Sequence, residues 1–134
     1  MEELYIEKGC SGTWRTAYRF YGKRNQLTGE SYPDIRMILV SKGRDGSSCY
    51  QKGRKVTVQS FLQGSTIETT GAGDTFCACV LHYVLENGLR DYSEDEMRDM
   101  LTFANAGASI ITTRRGALRV MPEREEILNL IKLR

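Results

Sequence analysis

The chain has 134 residues, of which 40% are hydrophobic, so it suits one modest domain or a part of one and does not resemble a disordered tract. Its 19 Lys and Arg residues against 17 Asp and Glu residues give a net charge of +2, too small to indicate a nucleic-acid or anionic membrane surface. The sequence begins without the basic and apolar regions of a secretion signal, and no apolar run is long enough to span a bilayer. A cytoplasmic protein without nucleic-acid or membrane partners is expected.

The first third of the chain gives few structural signals. Residues 1–34 form a divergent N-terminal segment without a clear period, which we expect to be poorly ordered or rearranged. Residues 36–41 contain the run Met-Ile-Leu-Val, which is typical of a buried parallel strand. Residues 47–51 and 55–59 then predict a hairpin with its turn at Lys52 and Gly53.

Three helices are predicted after the hairpin. The first begins near Ala72 and stops at Asn87-Gly88, with two apolar rows, Phe76, Val80 and Val84 beside Cys77, Leu81 and Leu85. The second begins at a capping box of Ser93 and Glu96, and its apolar face comprises Met97, Met100, Leu101, Ala104, Ala108 and Ile111. The third opens at Pro122 with Glu123, Glu125 and Glu126, and is expected to be buried through Ile127, Leu128 and Ile131.

The cysteines and the single histidine do not indicate a metal site. Cys77 and Cys79 are two apart on a helix and point to different faces, so free and mostly buried thiols are expected there and at Cys10 and Cys49. No Cys or His pair has zinc spacing. His82 falls outside both apolar rows, which favours a partly exposed, non-catalytic imidazole.

The turn before the first helix has the chemistry of an anion site. The N–H groups of Ala72, Gly73 and Asp74 belong to the first helical turn, so they lack intrahelical partners and attract phosphate. Gly71 and Gly73 allow a tight turn and close approach of an anion, and a carboxylate at Asp74 would be able to accept a proton. A purely structural turn with Thr and Asp capping would look similar. A P-loop and a dinucleotide fingerprint are excluded, because no Lys follows the glycines and Phe76 replaces the third glycine.

Four segments in order resemble one family. They are Thr69–Phe76 (Thr-Thr-Gly-Ala-Gly-Asp-Thr-Phe), Val40–Gly46, Phe103–Ala106, and Thr112–Ala117 followed by Pro122–Ile127. This set resembles the C-terminal signature of the ribokinase family of carbohydrate kinases (PfkB-type), which includes fructokinases. The resemblance runs from about Ile35 to the C-terminus. It implies an α/β fold, the C-terminal half of a ribokinase-like three-layer sandwich with a mostly parallel sheet and helices packed on it, with the nucleotide-binding part at residues 35–134.

The resemblance also implies roles for individual residues. Asp74 would be the catalytic base, with an anion hole formed by Gly71, Ala72, Gly73 and Asp74. The nucleotide, ATP with Mg²⁺, would be lined by Ser41, Lys42, Gly43, Arg44, Asp45 and Gly46, with Gly43 leaving room for it and Asn105 beside the adenine. A potassium ion would be held by Glu68, Thr70, Ile111, Arg114 and Gly116, although Glu68 stands where relatives usually have Asp.

The sequence departs from the family near its beginning. Leu27–Glu30 resembles the stretch after the family's Asn-x-x-Glu motif, but Phe20–Lys23 carries neither the Asn nor the acid. The family's N-terminal half, which supplies the residues for the sugar, is missing. Two hypotheses follow: the C-terminal piece of a kinase acting on a small carbohydrate, or a non-catalytic remnant that binds a nucleotide or a partner. A sheet cut through its middle would expose an apolar edge, so self-association is also expected.

Overall fold

The computed structural model describes the backbone of Glu3–Lys8 and residues 35–61, 64, 66, 71–115 and 121–133. The strands described are β1 (Glu3–Lys8), β2 (Ile35–Ser41), β3 (Ser47–Gln51) and β4 (Arg54–Val58). The α-helices described are α1 (Ala72–Asn87), α2 (Glu94–Ile111) and α3 (Arg124–Lys132). A short 3₁₀ turn, Gly43–Asp45, separates β2 from β3.

The described strands form one sheet in the order β1-β2-β3-β4. β2 pairs in parallel with β1, as its apolar run predicts, and antiparallel with β3. The β3–β4 hairpin is confirmed, with β4 one residue earlier than predicted; it turns through Lys52 and Gly53, which both have positive φ, 49° and 75°. Positive φ at both central residues gives the turn the twist that a tight hairpin needs. Within the described sheet, parallel pairing is therefore confined to β1 and β2.

β1 was not predicted, because its apolar run, Leu4 to Ile6, is only three residues long between charged neighbours. This strand gives regular structure to part of the segment 1–34, and the rest of that segment lies outside the described residues.

The sheet is buried on both faces along β2 and β3. Met37 and Leu39 of β2 belong to the main core with α1 and α2, whereas Ile38, Val40 and Tyr50 form a second buried cluster. This division follows the two-residue alternation of a strand. A sheet covered on two faces agrees with a three-layer architecture.

Only one of the two apolar rows of α1 enters the core. Phe76 and Val80 are 1% and 0% exposed, but Leu81 is 47% and Leu85 is 84% exposed. The periodicity correctly predicts the helix but not how many of its flanks are covered. Of the second row, Leu81 and Leu85 thus lie at the surface.

The helix caps follow the sequence closely. In the predicted capping box, Ser93 Oγ accepts from the N–H of Glu96, and Glu96 Oε2 accepts from the N–H of Ser93. The predicted apolar face of α2 is confirmed, with Met97, Met100, Leu101, Ala104 and Ile111 all buried.

Helix α3 begins at a second, unpredicted capping box, formed by Glu123 and Glu126. Its burial was predicted too broadly, because Ile127 is 3% exposed but Leu128 is 39% exposed.

The described thiols are free, as predicted, and Cys10 lies outside the described residues. Burial raises the pKa of Cys49 to about 12 and that of Cys79 to about 11, so neither forms a thiolate readily at neutral pH.

His82 is exposed, as predicted, and its ring stacks on Phe103. None of the described helices combines the length and the apolar character needed to cross a membrane.

Candidate functional site

The start of α1 has the geometry of an anion-binding turn. Gly71 caps the helix with φ 83° and ψ −6°, a left-handed conformation that glycine adopts readily. The N–H of Thr75 donates to the carbonyl of Gly71 over 2.8 Å, which is the helix's first hydrogen bond of this kind. The amides of Ala72, Gly73 and Asp74 precede it and lie at the positive end of the helix dipole. The prediction that a helix begins at Ala72 is confirmed.

This turn is accessible to solvent. Asp74 is exposed in the first turn of α1, and Gly71, Ala72 and Gly73 are half-buried. The next residue, Thr75, is 2% exposed, and its Oγ1 has no hydrogen-bond partner in the described part of the chain. A buried polar atom without a partner is uncommon, and such atoms often mark functional or strained places. A ligand can therefore approach the amides and the carboxylate from outside.

The loop after β2 has one glycine that the packing requires, Gly46, and one with free space around it, Gly43. Gly46 has φ 88° and ψ −140°, and a Cβ on it would lie 2.0 Å from the carbonyl oxygen of Val58. Only glycine therefore lets the loop lie against the end of β4. At Gly43, by contrast, a Cβ would meet nothing within 4 Å. The space above Gly43 agrees with its predicted role of leaving room for a nucleotide, which stays a prediction.

The other residues of this loop differ in exposure. Arg44 and Asp45 are exposed, and the carbonyl of Arg44 accepts a hydrogen bond from Ser60 Oγ at 2.6 Å. Ser41 and Lys42 are half-buried. Lys42 Nζ donates to Ser48 Oγ over 2.6 Å, and burial, together with the charge of Lys55, lowers the pKa of Lys42. The Lys42 ammonium thus contacts the hairpin.

Asn105 joins α2 to the β3–β4 hairpin, at the start of β3 and the end of β4. It is 5% exposed, its Oδ1 accepts from Ser47 Oγ at 2.8 Å, and its Nδ2 donates to the carbonyls of Val58 and Gln59, each at 3.2 Å. Both hydrogens of Nδ2 already bond to carbonyls, so Asn105 could not donate a further hydrogen bond to an adenine. Proximity to an adenine stays a prediction, while the anchoring of α2 is what the structure shows.

Gly107 brings α2 against the start of α1. A Cβ on Gly107 would lie 2.7 Å from Cys79 Sγ and 3.6 Å from Thr75 Cγ2. Gly107 lies two residues beyond Asn105, so the same stretch of α2 contacts both the hairpin and the first turns of α1. The sequence reasoning missed this arrangement. The available signal was an Asn and a Gly that flank the apolar face of this helix on its two sides.

The residues of the predicted potassium site are only partly described. Ile111, buried, ends α2, and its carbonyl accepts from the N–H of Arg114 at 3.2 Å. The guanidinium of Arg114 pairs with Glu126 of α3, whose pKa this bond lowers. Glu68, Thr70 and Gly116 lie outside the described residues. Only Ile111 and Arg114 of the set lie in the described part of the chain, and the ion stays a prediction.

A separate groove of about 400 Å³ lies between α1, α2 and α3. Its walls include His82 and Tyr83 of α1, Phe103 of α2 and Arg124 of α3. His82 lies eight residues after Asp74, which corresponds to about 12 Å along a helix. The groove is therefore distinct from the turn at the start of α1.

Comparison with known proteins shows the family of the chain. The model of the pfkB family carbohydrate kinases matches residues 25–124. "Probable fructokinase-2" of Arabidopsis thaliana is 32% identical over 102 residues, which cover 76% of this chain and 31% of that relative. The chain thus spans about a third of the length of this curated relative.

Solved structures share the fold. Arabidopsis thaliana ribokinase, complexed with ribose and ATP, matches with a TM-score of 0.73 and 24% identity over 97% of this chain and 41% of its own. A protein of E. coli, in complex with ATP and Mg²⁺, matches with a TM-score of 0.68 and 21% identity over 98% of this chain and 39% of its own. These likenesses confirm a ribokinase-like fold. With the family model matching most of its length, the chain belongs to the pfkB family of carbohydrate kinases.

Proposed function

We propose that this chain is the nucleotide-binding C-terminal part of an ATP-dependent carbohydrate kinase. Family membership supports a kinase that acts on a sugar. The observation that carries the proposal is the start of α1, where a left-handed Gly71 leaves successive amides at the helix end beside an exposed Asp74. The whole reaction would transfer the γ-phosphoryl group of ATP to a sugar hydroxyl in the cytoplasm.

In this proposal, the amides from Gly71 to Asp74 bind the transferring phosphoryl group. Phosphoryl transfer depends on positioning and on stabilising charge that spreads over the equatorial oxygens, and fixed backbone donors supply that stabilisation without reorganisation. Asp74 would accept the proton of the acceptor hydroxyl. Its position in the first turn of α1 and its exposure support this role.

The nucleotide would lie along the loop from Ser41 to Gly46, over the open space at Gly43. Asn105 would lie near it and hold Ser47, the residue that follows this loop. Magnesium would enter with ATP and neutralise charge on its phosphates. A potassium ion at Glu68, Thr70, Ile111, Arg114 and Gly116 remains part of the proposal. Backbone carbonyls and a carboxylate are suitable ligands for such an ion.

A non-catalytic piece that binds a nucleotide or a partner is the second candidate. It is favoured by the length of the chain, which covers 31% of the curated relative. Catalysis requires both reactants to be held in line, and a part of the site cannot do this alone. For the isolated chain we therefore expect weak binding of Mg-ATP and negligible turnover.

Calorimetric titration with Mg-ATP, followed by a coupled assay on a panel of sugars, tests the proposal with the wild type and Asp74→Asn. The substitution removes a negative charge near the phosphates, so Mg-ATP should bind at least as tightly as before. Any turnover should fall by about 10²- to 10⁴-fold, since a general base contributes about this much. A measurable wild-type turnover that Asp74→Asn leaves unchanged would refute the base, and no Mg-ATP binding by either protein would refute the proposal.

A further inference from the structure

The groove between α1, α2 and α3 has an apolar and aromatic lining. Tyr83 of α1, Phe103 of α2 and Ile131 of α3 line it, and each of them is half-buried. Leu128 of α3 also lines it and is 39% exposed. These four side chains keep apolar area that the described part of the protein does not cover, and they present it in one concave place.

The volume of the groove suits a small molecule. At about 400 Å³, it lies within the range of about 300 to 1,000 Å³ that is usual for small-molecule sites in proteins. Such sites combine mostly apolar and aromatic walls with a few polar groups that orient the ligand. The charged side chains of the groove therefore indicate which kind of ligand it suits.

Three of these polar side chains pair with one another. Glu86 Oε1 accepts a hydrogen bond from Arg124 Nη1 at 3.0 Å and lies 3.3 Å from His82 Nε2. The pair of Glu86 and Arg124 joins α1 to α3. Because the guanidinium of Arg124 already balances the charge of Glu86, neither group is a strong attractant for a charged ligand.

Asp99 gives the groove an excess of negative charge. It is exposed on α2, and no cationic side chain forms an ion pair with it within the described part of the chain. Its charge acts on Tyr83: burial, followed by the charges of Asp99 and Glu96, raises the pKa of the Tyr83 hydroxyl. Asp99 and the Tyr83 side chain are therefore neighbours in the wall of the groove.

We propose that this groove binds a small organic cation, an ammonium group attached to an aromatic body. The ammonium pairs with the carboxylate of Asp99, and a neighbouring aromatic ring such as that of Tyr83 also attracts a cation. The aromatic body packs against Phe103 and Leu128. This inference goes beyond the proposed function and does not depend on it, because the groove is distinct from the turn at the start of α1.

Titration with phenethylammonium, followed by NMR of the backbone amides of the chain, tests the proposal. We expect a dissociation constant of about 1 mM or lower, which is reasonable for so small a ligand, with the largest shifts at Thr102, Phe103 and Leu128. The neutral analogue 2-phenylethanol has nearly the same shape. It should bind about two- to fivefold more weakly, since an exposed ion pair contributes about this much.

Asp99→Asn tests the charge of the groove. It should weaken the binding of phenethylammonium about two- to fivefold and leave the binding of 2-phenylethanol unchanged. Glu125→Gln is the matched control, because it removes one negative charge from an exposed position of α3 outside the lining of the groove, and it should change neither affinity. Leu128→Ala should weaken both probes to a similar degree, because it removes apolar contact that they share.

Several results would overturn the proposal. They are no binding of phenethylammonium at concentrations up to about 10 mM, shifts centred on the start of α1 instead of the groove, equal affinities of the two probes for the wild type, and equal affinities of phenethylammonium for the wild type and Asp99→Asn. A titration with Mg-ATP separates the two proposals. A chain that binds phenethylammonium in the groove but no Mg-ATP would contradict the proposed function alone, and the reverse would contradict this inference alone.

Discussion

The surroundings of α2 and the start of α1 use their polar groups in opposite ways. Around α2, buried polar groups are paired within the protein: Asn105 with Ser47, and Gln51 with the carbonyl of Arg90 and the N–H of Tyr92. At the start of α1, backbone amides precede the first helical hydrogen bond, and the buried hydroxyl of Thr75 has no partner in the described part of the chain. The first region stabilises the fold, and the second is where we propose that a phosphate binds.

Gly46→Ala should produce the largest effect. The new Cβ would lie 2.0 Å from the carbonyl oxygen of Val58, and the backbone at φ 88° is one that alanine rarely adopts. We expect the free energy of unfolding to fall by about 3 kcal/mol or more, as measured by chemical denaturation.

Gly43→Ala is the control in the same loop. A Cβ there meets nothing within 4 Å, so only the left-handed backbone at φ 59° opposes the change, by about 1–2 kcal/mol. Because Gly43 borders the proposed nucleotide, this variant should lose affinity for Mg-ATP beyond its loss of stability. Equal destabilisation by the two substitutions would show that the packing at Gly46 matters no more than the free space at Gly43.

Asn105→Ala tests the internally paired region. It removes three hydrogen bonds and leaves Ser47 and two carbonyls without their partner, so we expect about 2–4 kcal/mol of destabilisation. Ser47→Ala should cost less, because it removes one of these bonds. A double-mutant cycle would show coupling between the two residues. Additive effects within about 0.5 kcal/mol would mean that they do not act together.

A smaller effect is expected at the beginning of α2. The hydrogen bond from Arg90, followed by that from the N–H of Ser93, lowers the pKa of Glu96 to about 2 from its ordinary 4.5. A lowered pKa in the folded state stabilises the protein above about pH 4.5, and this contribution is lost as the pH falls toward 2. Both side chains are solvent-exposed, so the effect is screened.

Arg90→Gln checks this pH dependence by thermal unfolding at several pH values. The difference in stability between variant and wild type should be larger at pH 7 than at pH 2. A difference that does not change with pH would show that Arg90 acts through its packing on Tyr92, whose ring lies 4.7 Å from the guanidinium carbon, rather than through Glu96.

Local signals explain which elements the sequence predicts. The helix at Ala72 follows from its glycines and apolar period, and the helix at Glu94 from its capping box, because both signals lie within a few residues. Contacts between distant positions are not visible in one sequence. The bonds of Asn105 with Ser47 span 58 positions, and the exposure of Leu85 depends on which elements flank α1.

The site shows the same limit. The geometry of the turn at Gly71 follows from the residues and was predicted correctly. The roles of Asp74 and of the loop from Ser41 to Gly46 come from the family resemblance and await experiment. The close packing of Gly107 against Thr75 and Cys79 could not be predicted, since it depends on how closely two helices approach.

The most direct test of the central claim, that the amides at the start of α1 bind the phosphates of ATP, is calorimetric titration of Gly73→Ala with Mg-ATP beside the wild type. The alanine favours the helix by up to about 1 kcal/mol, but its methyl group obstructs the approach of an anion to the amides. The account predicts a chain at least as stable as the wild type with an affinity for Mg-ATP at least about tenfold lower. An affinity equal to that of the wild type would contradict it.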